Sequence, residues 1–154
     1  METIIACFGN PLMQDDGIGN HLYKLLENDD ILRKLKIVDM GTSSIDLVSL
    51  AEDYEKIVII DAMIHGKDSG WLSFFELNTK NILIFNKLNP RNGHGISLEH
   101  SIQMIHTLYP SKKLYLIGIE PFRISMGLEL SEILQNKLKG IHDRILEIIQ
   151  RIRS

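Results

Sequence analysis

Two adjacent acids lie in a glycine-rich turn near the N-terminus. Residues 9–19 read GNPLMQDDGIG, so Asp15 and Asp16 fall between the apolar run IIACF and the helix-like segment NHLYKLLEN. One aspartate is enough to cap a helix, because its side chain accepts hydrogen bonds from free backbone N–H groups and complements the helix dipole. The second acid is therefore a candidate for chemistry.

Further candidates follow other strand-like segments. Asp39 and the Gly41-Thr42 turn end the second such segment, Asp61 ends the third, and Glu120 ends the last. In a parallel α/β sheet, ligands bind in the crevice outside the carboxyl ends of the strands. We therefore expect these acids to share one rim of the sheet with His94, which lies in the loop RNGHGIS before a predicted helix.

A carboxylate at the end of a buried strand is costly to desolvate unless something pairs with it. A structural ion pair is one solution, because Arg91 and Lys67 lie in loops that could reach Asp61. A metal ion is the other. Two carboxylates and one imidazole leave coordination positions open, which suits nickel, iron or zinc better than an all-oxygen calcium site. The sequence leaves both solutions open.

The elements that must position these residues alternate along the chain. Strand-like and helix-like patterns succeed each other, which predicts a single α/β domain over residues 1–154. We expect a three-layer sandwich, with a largely parallel twisted sheet of about five strands flanked by helices. The predicted strands are TIIACF, KIVDM, KIVIIDA, GWLSFFEL and KLYLIGIE, with NILIFNKL as a further strand or loop that could form a hairpin with GWLSFFEL.

Four helices are predicted from apolar residues at helical spacing. The first contains Ile18, Leu22, Leu25 and Leu26, and the third places Leu98, Ile102, Ile105 and Tyr109 on one stripe. The second, in TSSIDLVSLAEDYE, is predicted to be capped by Thr42, Ser43 or Ser44. Its apolar face is predicted to consist of Ile45, Val48 and Ala51, with Leu47 and Leu50 beside it. The fourth is long and runs from about Leu130 to Ile152, with Gly140 inside it.

Composition narrows the classes of function. The net charge of −3 and a pI near 6.1 give no electrostatic reason to expect binding to nucleic acid or to an anionic membrane. Cys7 is the single cysteine and lies in an apolar run, so it is interpreted as a buried small hydrophobe. No signal peptide or membrane-length apolar stretch is evident, and we expect a cytoplasmic monomer that does not insert into membranes. The GxSxG, CxxC, GxxxxGK(S/T) and GxGxxG templates are absent.

Four motifs resemble those of the hydrogenase maturation endopeptidases. GNPLMQDDGIG is similar to the signature GN-x-L-x-x-D-D/E-G-x-G, and DMGTS is similar to the family's DGGT turn. DAMIHGKDSG resembles its DA-x-x-x-G stretch, and GIEPFRISMGLELS resembles its GIEP…G…LS segment. The matches occur in order over nearly the whole chain. Met40, Ser69 and the segment NGHGISL depart from the commonest pattern.

The resemblance implies a metal-binding trio of Asp16, Asp61 and His94, with Asp16 and Asp61 also the candidate catalytic groups. It implies that the enzyme removes a C-terminal extension from the large-subunit precursor of a nickel-iron hydrogenase after nickel insertion. The nickel is expected to arrive with the precursor, and other divalent metals are expected to be able to replace it. Water activation by the metal and by a carboxylate both remain open.

Supporting roles are assigned to the remaining polar and glycine residues of the rim. Asp15 is expected to support the turn, and Gly17 and Gly19 are expected to let substrate backbone approach closely. Asp39, Gly41 and Thr42 are expected to support the site or line a substrate groove. His65, which follows Asp61 closely, is a weaker candidate for a supporting role, whereas His21, His100, His106 and His142 fall in helical patterns and are interpreted as structural or solvent-facing.

Two other functions fit the same residues. A non-catalytic nickel-binding or precursor-binding chaperone would use the trio without breaking a bond. A nucleotide-binding α/β domain would use the acids only as helix caps, and its thermal stability would not respond to transition metals.

Overall fold

The computed structural model describes residues 2–82 and 97–154, and five strands of the sheet lie within them. The strands are β1 (Thr3–Phe8), β2 (Lys36–Gly41), β3 (Lys56–Ala62), β4 (Leu72–Leu77) and β5 (Lys113–Ile119). Their spatial order is β2-β1-β3-β5-β4. All neighbours pair in parallel except β4, which runs antiparallel to β5. The prediction of a largely parallel five-stranded sheet is confirmed.

Helices cover both faces of the sheet. They are α1 (Ile18–Leu26), α2 (Asp46–Ala51), α3 (Leu98–Leu108) and α4 (Glu132–Arg153). Helices α1 and α4 pack on one face, around Ile5, Cys7 and the even-numbered residues of β3. Helices α2 and α3 pack on the other face, around Ile4, Ala6, Phe8 and the odd-numbered residues of β3. Alternate residues of β1 and β3 thus enter two separate cores, as a doubly covered sheet requires.

Apolar spacing located α3 and α4 well. Leu98, Ile102 and Ile105 are buried on α3, and the Ser97 hydroxyl caps that helix by accepting a hydrogen bond from the His100 N–H. Helix α4 buries the stripe that includes Leu134, Ile141, Ile145, Ile149 and Ile152. Within the described residues, no helix is long and apolar enough to cross a membrane.

The details of α2 differ from the prediction. Ile45 precedes the helix and provides no side-chain cap, and Ser43 instead donates to the Asp46 carboxylate at 2.7 Å. The buried residues are Leu47 and Ala51, whereas Ile45 is exposed. The reason is that the helix is short and starts later than predicted, so a rotated face meets the sheet.

Strand β4 pairs with β5, in register from Leu72 beside Ile119 to Leu77 beside Leu114. GWLSFFEL is therefore one strand at the antiparallel edge of the sheet. The hairpin considered between it and NILIFNKL lies largely outside the described residues, which resume at residue 97.

The order of the strands creates a crevice at the carboxyl ends of β1 and β3. From β1 the chain crosses by α1 to β2 on one side, and from β2 it crosses by α2 to β3 on the other side of β1. The two connecting helices lie on opposite faces of the sheet. Such a switch in strand order leaves an opening outside the carboxyl ends of the two strands, where ligands bind in open α/β sheets.

Candidate active site at the end of the sheet

Asp16 and Asp61 flank this switch point. Asp61 belongs to β3 itself, whereas Asp16 lies in a 3-10 helix, Gln14–Gly17, that follows β1 and packs against β3. Strands β1 and β3 pair up to Cys7 beside Ile60, so the next residue of β3, Asp61, lies beside the end of β1. The structure therefore brings two carboxylates from separate parts of the sequence to one crevice.

Both carboxylates are buried. Asp61 Oδ1 accepts a hydrogen bond from the Ala62 backbone N–H at 2.8 Å. The backbone of Asp16 closes its own turn, because its N–H donates to the Met13 carbonyl at 3.1 Å and its carbonyl accepts from the Asn10 N–H at 3.1 Å. These bonds fix the turn that carries the Asp16 side chain. A pair of buried carboxylates can bind a divalent cation or accept a proton from water.

Asp15 is used differently from its neighbour. Its Oδ2 accepts hydrogen bonds from the N–H groups of Phe122 (2.9 Å) and Arg123 (2.8 Å) and from the Ser131 hydroxyl (2.8 Å). Its Oδ1 accepts from the Ser131 N–H at 2.7 Å. The carboxylate thus joins the acidic turn to both ends of the loop between β5 and α4. Asp15 has the supporting geometry expected of it, although the partners are remote in sequence.

Glu120 supports a second loop of the rim. Its carboxylate accepts hydrogen bonds from the His65 N–H at 2.9 and 3.1 Å and from the Lys67 N–H at 2.5 Å. These bonds fix the segment that follows β3, a few residues after Asp61.

The other side chains of this loop lie nearby. The Lys67 ammonium lies 5.7 Å from the centre of the Trp71 ring. His65 Nδ1 lies 3.3 Å from the Ser73 hydroxyl. Arg91 lies outside the described residues.

Asp39 connects the end of β2 to α1. Its Oδ1 accepts from Asn20 Nδ2 at 2.9 Å and from the Gly41 N–H at 3.1 Å, and the Gly41 carbonyl accepts from the Gly9 N–H at 2.9 Å. Gly41 has a φ of +56°, which a glycine adopts without strain. Thr42 is exposed beside it. Sequence reasoning missed Asn20, a polar residue buried on an otherwise apolar helix face.

Gly17 and Gly19 have a packing role in the structure. A Cβ atom on Gly19 would lie 1.9 Å from the Phe8 carbonyl oxygen, and one on Gly17 would lie 3.0 Å from the Pro11 Cα. The chain's own backbone therefore occupies the space beside both residues. Gly19 lets α1 pack directly against the end of β1.

His94, the third member of the predicted trio, lies outside the described residues. Over residues 2–82 and 97–154, no three His, Cys, Asp or Glu side chains are grouped so that they could hold a metal ion. Within the described residues, the candidate site consists of the carboxylates of Asp16 and Asp61. His142 is placed elsewhere, with its Nε2 3.1 Å from the Asp29 carboxylate.

Burial affects two other titratable groups near this end of the molecule. It raises the pKa of the Cys7 thiol, and the Asp39 charge acts in the same direction. Cys7 is fully buried in the core, so its interpretation as a small hydrophobe is confirmed. Burial and the Lys24 charge lower the pKa of His21, although a hydrogen bond with the Leu128 backbone opposes them.

Comparison with known proteins gives a consistent result. The family model described as hydrogenase maturation protease matches residues 18–148. The hydrogenase 2 maturation protease of Escherichia coli K12 is 23% identical over 154 residues, which span 97% of this chain and 92% of that protein.

Two solved structures share the fold. The NiFe hydrogenase maturation protease HybD of Thermococcus kodakarensis has a TM-score of 0.72 and 25% identity, with 100% of both chains covered. An endopeptidase of Escherichia coli has a TM-score of 0.80 and 21% identity, covering 98% of this chain and 93% of that one. The matched segment of the family model takes in most of the chain, including Asp61 and the loop that Asp15 binds. The chain belongs to the hydrogenase maturation protease family and is a peptidase.

Proposed function

We propose that this peptidase removes the C-terminal extension of a nickel-iron hydrogenase large-subunit precursor after nickel has been inserted, and that it recognises the nickel. The observation that carries the proposal is the position of Asp16 and Asp61 on either side of the β1/β3 switch point. Membership of the family supports the reaction, and the donor chemistry supports the metal.

The acids of the rim divide into two groups. The Asp15 carboxylate accepts hydrogen bonds from backbone N–H groups and from the Ser131 hydroxyl, and the Glu120 carboxylate accepts them from backbone N–H groups. We assign a structural role to both. Asp16 and Asp61 are the pair assigned to nickel, and His94 is proposed as the third ligand. Carboxylate and imidazole groups are suitable ligands for divalent transition metals. A precursor that holds its nickel by thiolates needs only this partial set from the enzyme.

Cleavage consumes one water molecule. The water oxygen adds to the scissile carbonyl carbon, the carbon–nitrogen bond breaks, and the released amine takes a proton. Nickel near the carbonyl would polarise it, and a carboxylate would accept the proton of the attacking water. We assign that proton to Asp16 or Asp61, because both are buried where the crevice opens.

The test uses the large-subunit precursor from the same organism, prepared with and without nickel. Wild-type protein is incubated with each form, and the product masses are measured. We expect one shorter product from the nickel-loaded form and none from the nickel-free form. Equal cleavage of both forms would contradict nickel recognition, and an intact nickel-loaded precursor would contradict the proposed substrate.

Replacement of each carboxylate separates binding from chemistry. Both carboxylates are proposed to contact nickel. If Asp61 is the stronger ligand and Asp16 also acts as base, then Asp16→Asn retains weakened nickel-dependent binding of the precursor but not cleavage. Asp61→Asn then loses both. The reverse pattern would exchange the two roles.

We also propose that the protein is a monomer and acts in the cytoplasm. The mildly acidic net charge of −3 suits that compartment. Sedimentation of the purified protein tests the monomer, and fractionation of cells tests the location.

A further inference from the structure

Exposed apolar side chains are concentrated beside the acidic turn. Among the residues that the structure describes, the three most exposed large hydrophobic side chains are Met126 (88%), Leu128 (69%) and Leu12 (60%), and Phe122 (51%) lies in the same loop as the first two. We call Leu12, Phe122, Met126 and Leu128 the apolar rim. A group of exposed apolar side chains on a soluble domain marks a surface that binds something.

The backbone holds this rim together. Met13 and Gly127 form a parallel β-bridge, in which the Gly127 N–H donates to the Leu12 carbonyl and the Gln14 N–H donates to the Gly127 carbonyl, both at 2.9 Å. Leu12 and Met126, which each precede a bridge residue, are thus neighbours across the bridge. A Cβ atom on Gly127 would lie 2.9 Å from Gln14 Cγ, and the φ of +156° at Gly127 is one that residues with side chains rarely adopt.

The same contacts tie the rim to the candidate active site. Leu12 is four residues before Asp16, and the Asp15 N–H donates to the Arg123 carbonyl at 3.1 Å. The Asp15 carboxylate binds the loop at Phe122, Arg123 and Ser131. The apolar side chains are therefore displayed on a segment that is already ordered, which lowers the entropy cost of binding a partner.

We propose that the apolar rim binds an extended apolar segment of the polypeptide substrate, close to the bond that is cleaved. The occupant follows from continuity, since a peptidase must hold its polypeptide against the active site and the rim shares its backbone with the turn that carries Asp16. The proposal rests on the proposed function for the identity of the substrate. It adds a contact that does not depend on nickel.

A matched pair of variants tests the rim. M126Q/L128Q makes the rim polar and leaves its backbone bonds in place. M104Q/L108Q makes the same changes to two exposed residues, four apart on α3. Leu108 ends α3 shortly before β5 begins at Lys113. It therefore lies near the amino end of β5, whereas Asp16 lies near the carboxyl end of β1.

Two measurements are made on the full-length protein. Binding of the nickel-free precursor, which is expected to escape cleavage, is measured by biolayer interferometry, and KM and kcat are measured with the nickel-loaded precursor. We expect M126Q/L128Q to weaken binding and raise KM by about tenfold, as for the loss of central apolar anchors, with kcat within about twofold. M104Q/L108Q should match the wild type.

The outcomes distinguish this proposal from the proposed function. Unchanged binding and KM in M126Q/L128Q would overturn the rim, while cleavage of the nickel-loaded precursor would still support the function. Rim-dependent binding without cleavage by the wild type would support the rim and overturn the function. If the wild type neither binds nor cleaves the precursor, both the rim and the proposed function are overturned. A wild-type dimer that M126Q/L128Q converts to monomer, with precursor binding unchanged, would assign the rim to a second copy and overturn the proposal.

Discussion

The carboxylate of Asp15 binds Ser131 twice, through the backbone N–H at 2.7 Å and the hydroxyl at 2.8 Å, although the two residues are 116 positions apart. Ser131 also caps α4, because its hydroxyl oxygen accepts from the Leu134 N–H. This contact joins the turn after β1 to the start of the longest helix. It fixes the position of Asp16, the next residue along the chain.

Removal of the Asp15 carboxylate should destabilise the fold. Asp15→Ala leaves three backbone N–H groups without their acceptor, so we expect the free energy of unfolding to fall by about 3 kcal/mol. Ser131→Ala removes the hydroxyl but keeps the hydrogen bond from the backbone N–H to Asp15, so we expect the free energy of unfolding to fall by only about 1 kcal/mol. Urea unfolding measures both. A change below about 0.5 kcal/mol for Asp15→Ala would contradict the structural role.

Two glycines should respond to alanine in opposite directions. In Gly19→Ala the new Cβ would lie 1.9 Å from the Phe8 carbonyl oxygen, so α1 must move from β1 and we expect a loss of about 3 kcal/mol or more. Gly140 lies in α4 with no neighbouring atom within 4 Å of an added Cβ, so Gly140→Ala should stabilise by about 0.5–1 kcal/mol. Thermal and urea unfolding check both. Equal effects would refute the predicted close packing at Gly19.

The trio is expected to be required for processing but not for folding. Asp16→Asn, Asp61→Asn and His94→Ala should each abolish cleavage of the nickel-loaded precursor in a mass-spectrometric assay. Asp16→Asn and His94→Ala should leave the circular dichroism spectrum near that of the wild type, because asparagine has nearly the size of aspartate and His94 is predicted to lie in a loop. Retained cleavage in any of the three would remove that residue from the site.

Stability should depend on the protonation of His106. Burial lowers the pKa of this residue below its ordinary value of 6.5. As the pH falls through about 6.5, the unfolded chain gains a proton that the native state does not yet bind, so stability is lost from there down to the lowered native pKa. Above that window, His106 is neutral in both states and contributes no dependence.

Replacement of His106 measures this contribution. His106→Gln should lose less free energy of unfolding between about pH 7.5 and about pH 5.5 than the wild type, because it removes the partly buried imidazole. His100→Gln, at an exposed position of the same helix, is the matched control and should follow the wild type. An identical pH dependence in His106→Gln and the wild type would show that the prediction is wrong.

The fold was largely predictable because its signals are local. Apolar spacing placed α1, α3 and α4, and the β-branched run KIVIIDA identified β3 at the centre of the sheet. Helix α2 was placed less well. Its six residues leave few turns from which the buried face could be inferred, and packing against α3 and the sheet chose Leu47 over Ile45.

The sequence alone determined that Asp16 follows one strand of a parallel sheet and that Asp61 ends another, and this places them at the same end of the sheet because parallel strands end together. Tertiary structure decided which N–H groups bind Asp15 and Glu120. Asp15 is held by N–H groups from 107 to 116 residues away, and Glu120 by N–H groups 53 and 55 residues away. Hydrogen bonds over such separations leave no periodic pattern in a sequence, so only the folded chain shows that Asp15 and Glu120 fix the loops around Asp16 and Asp61.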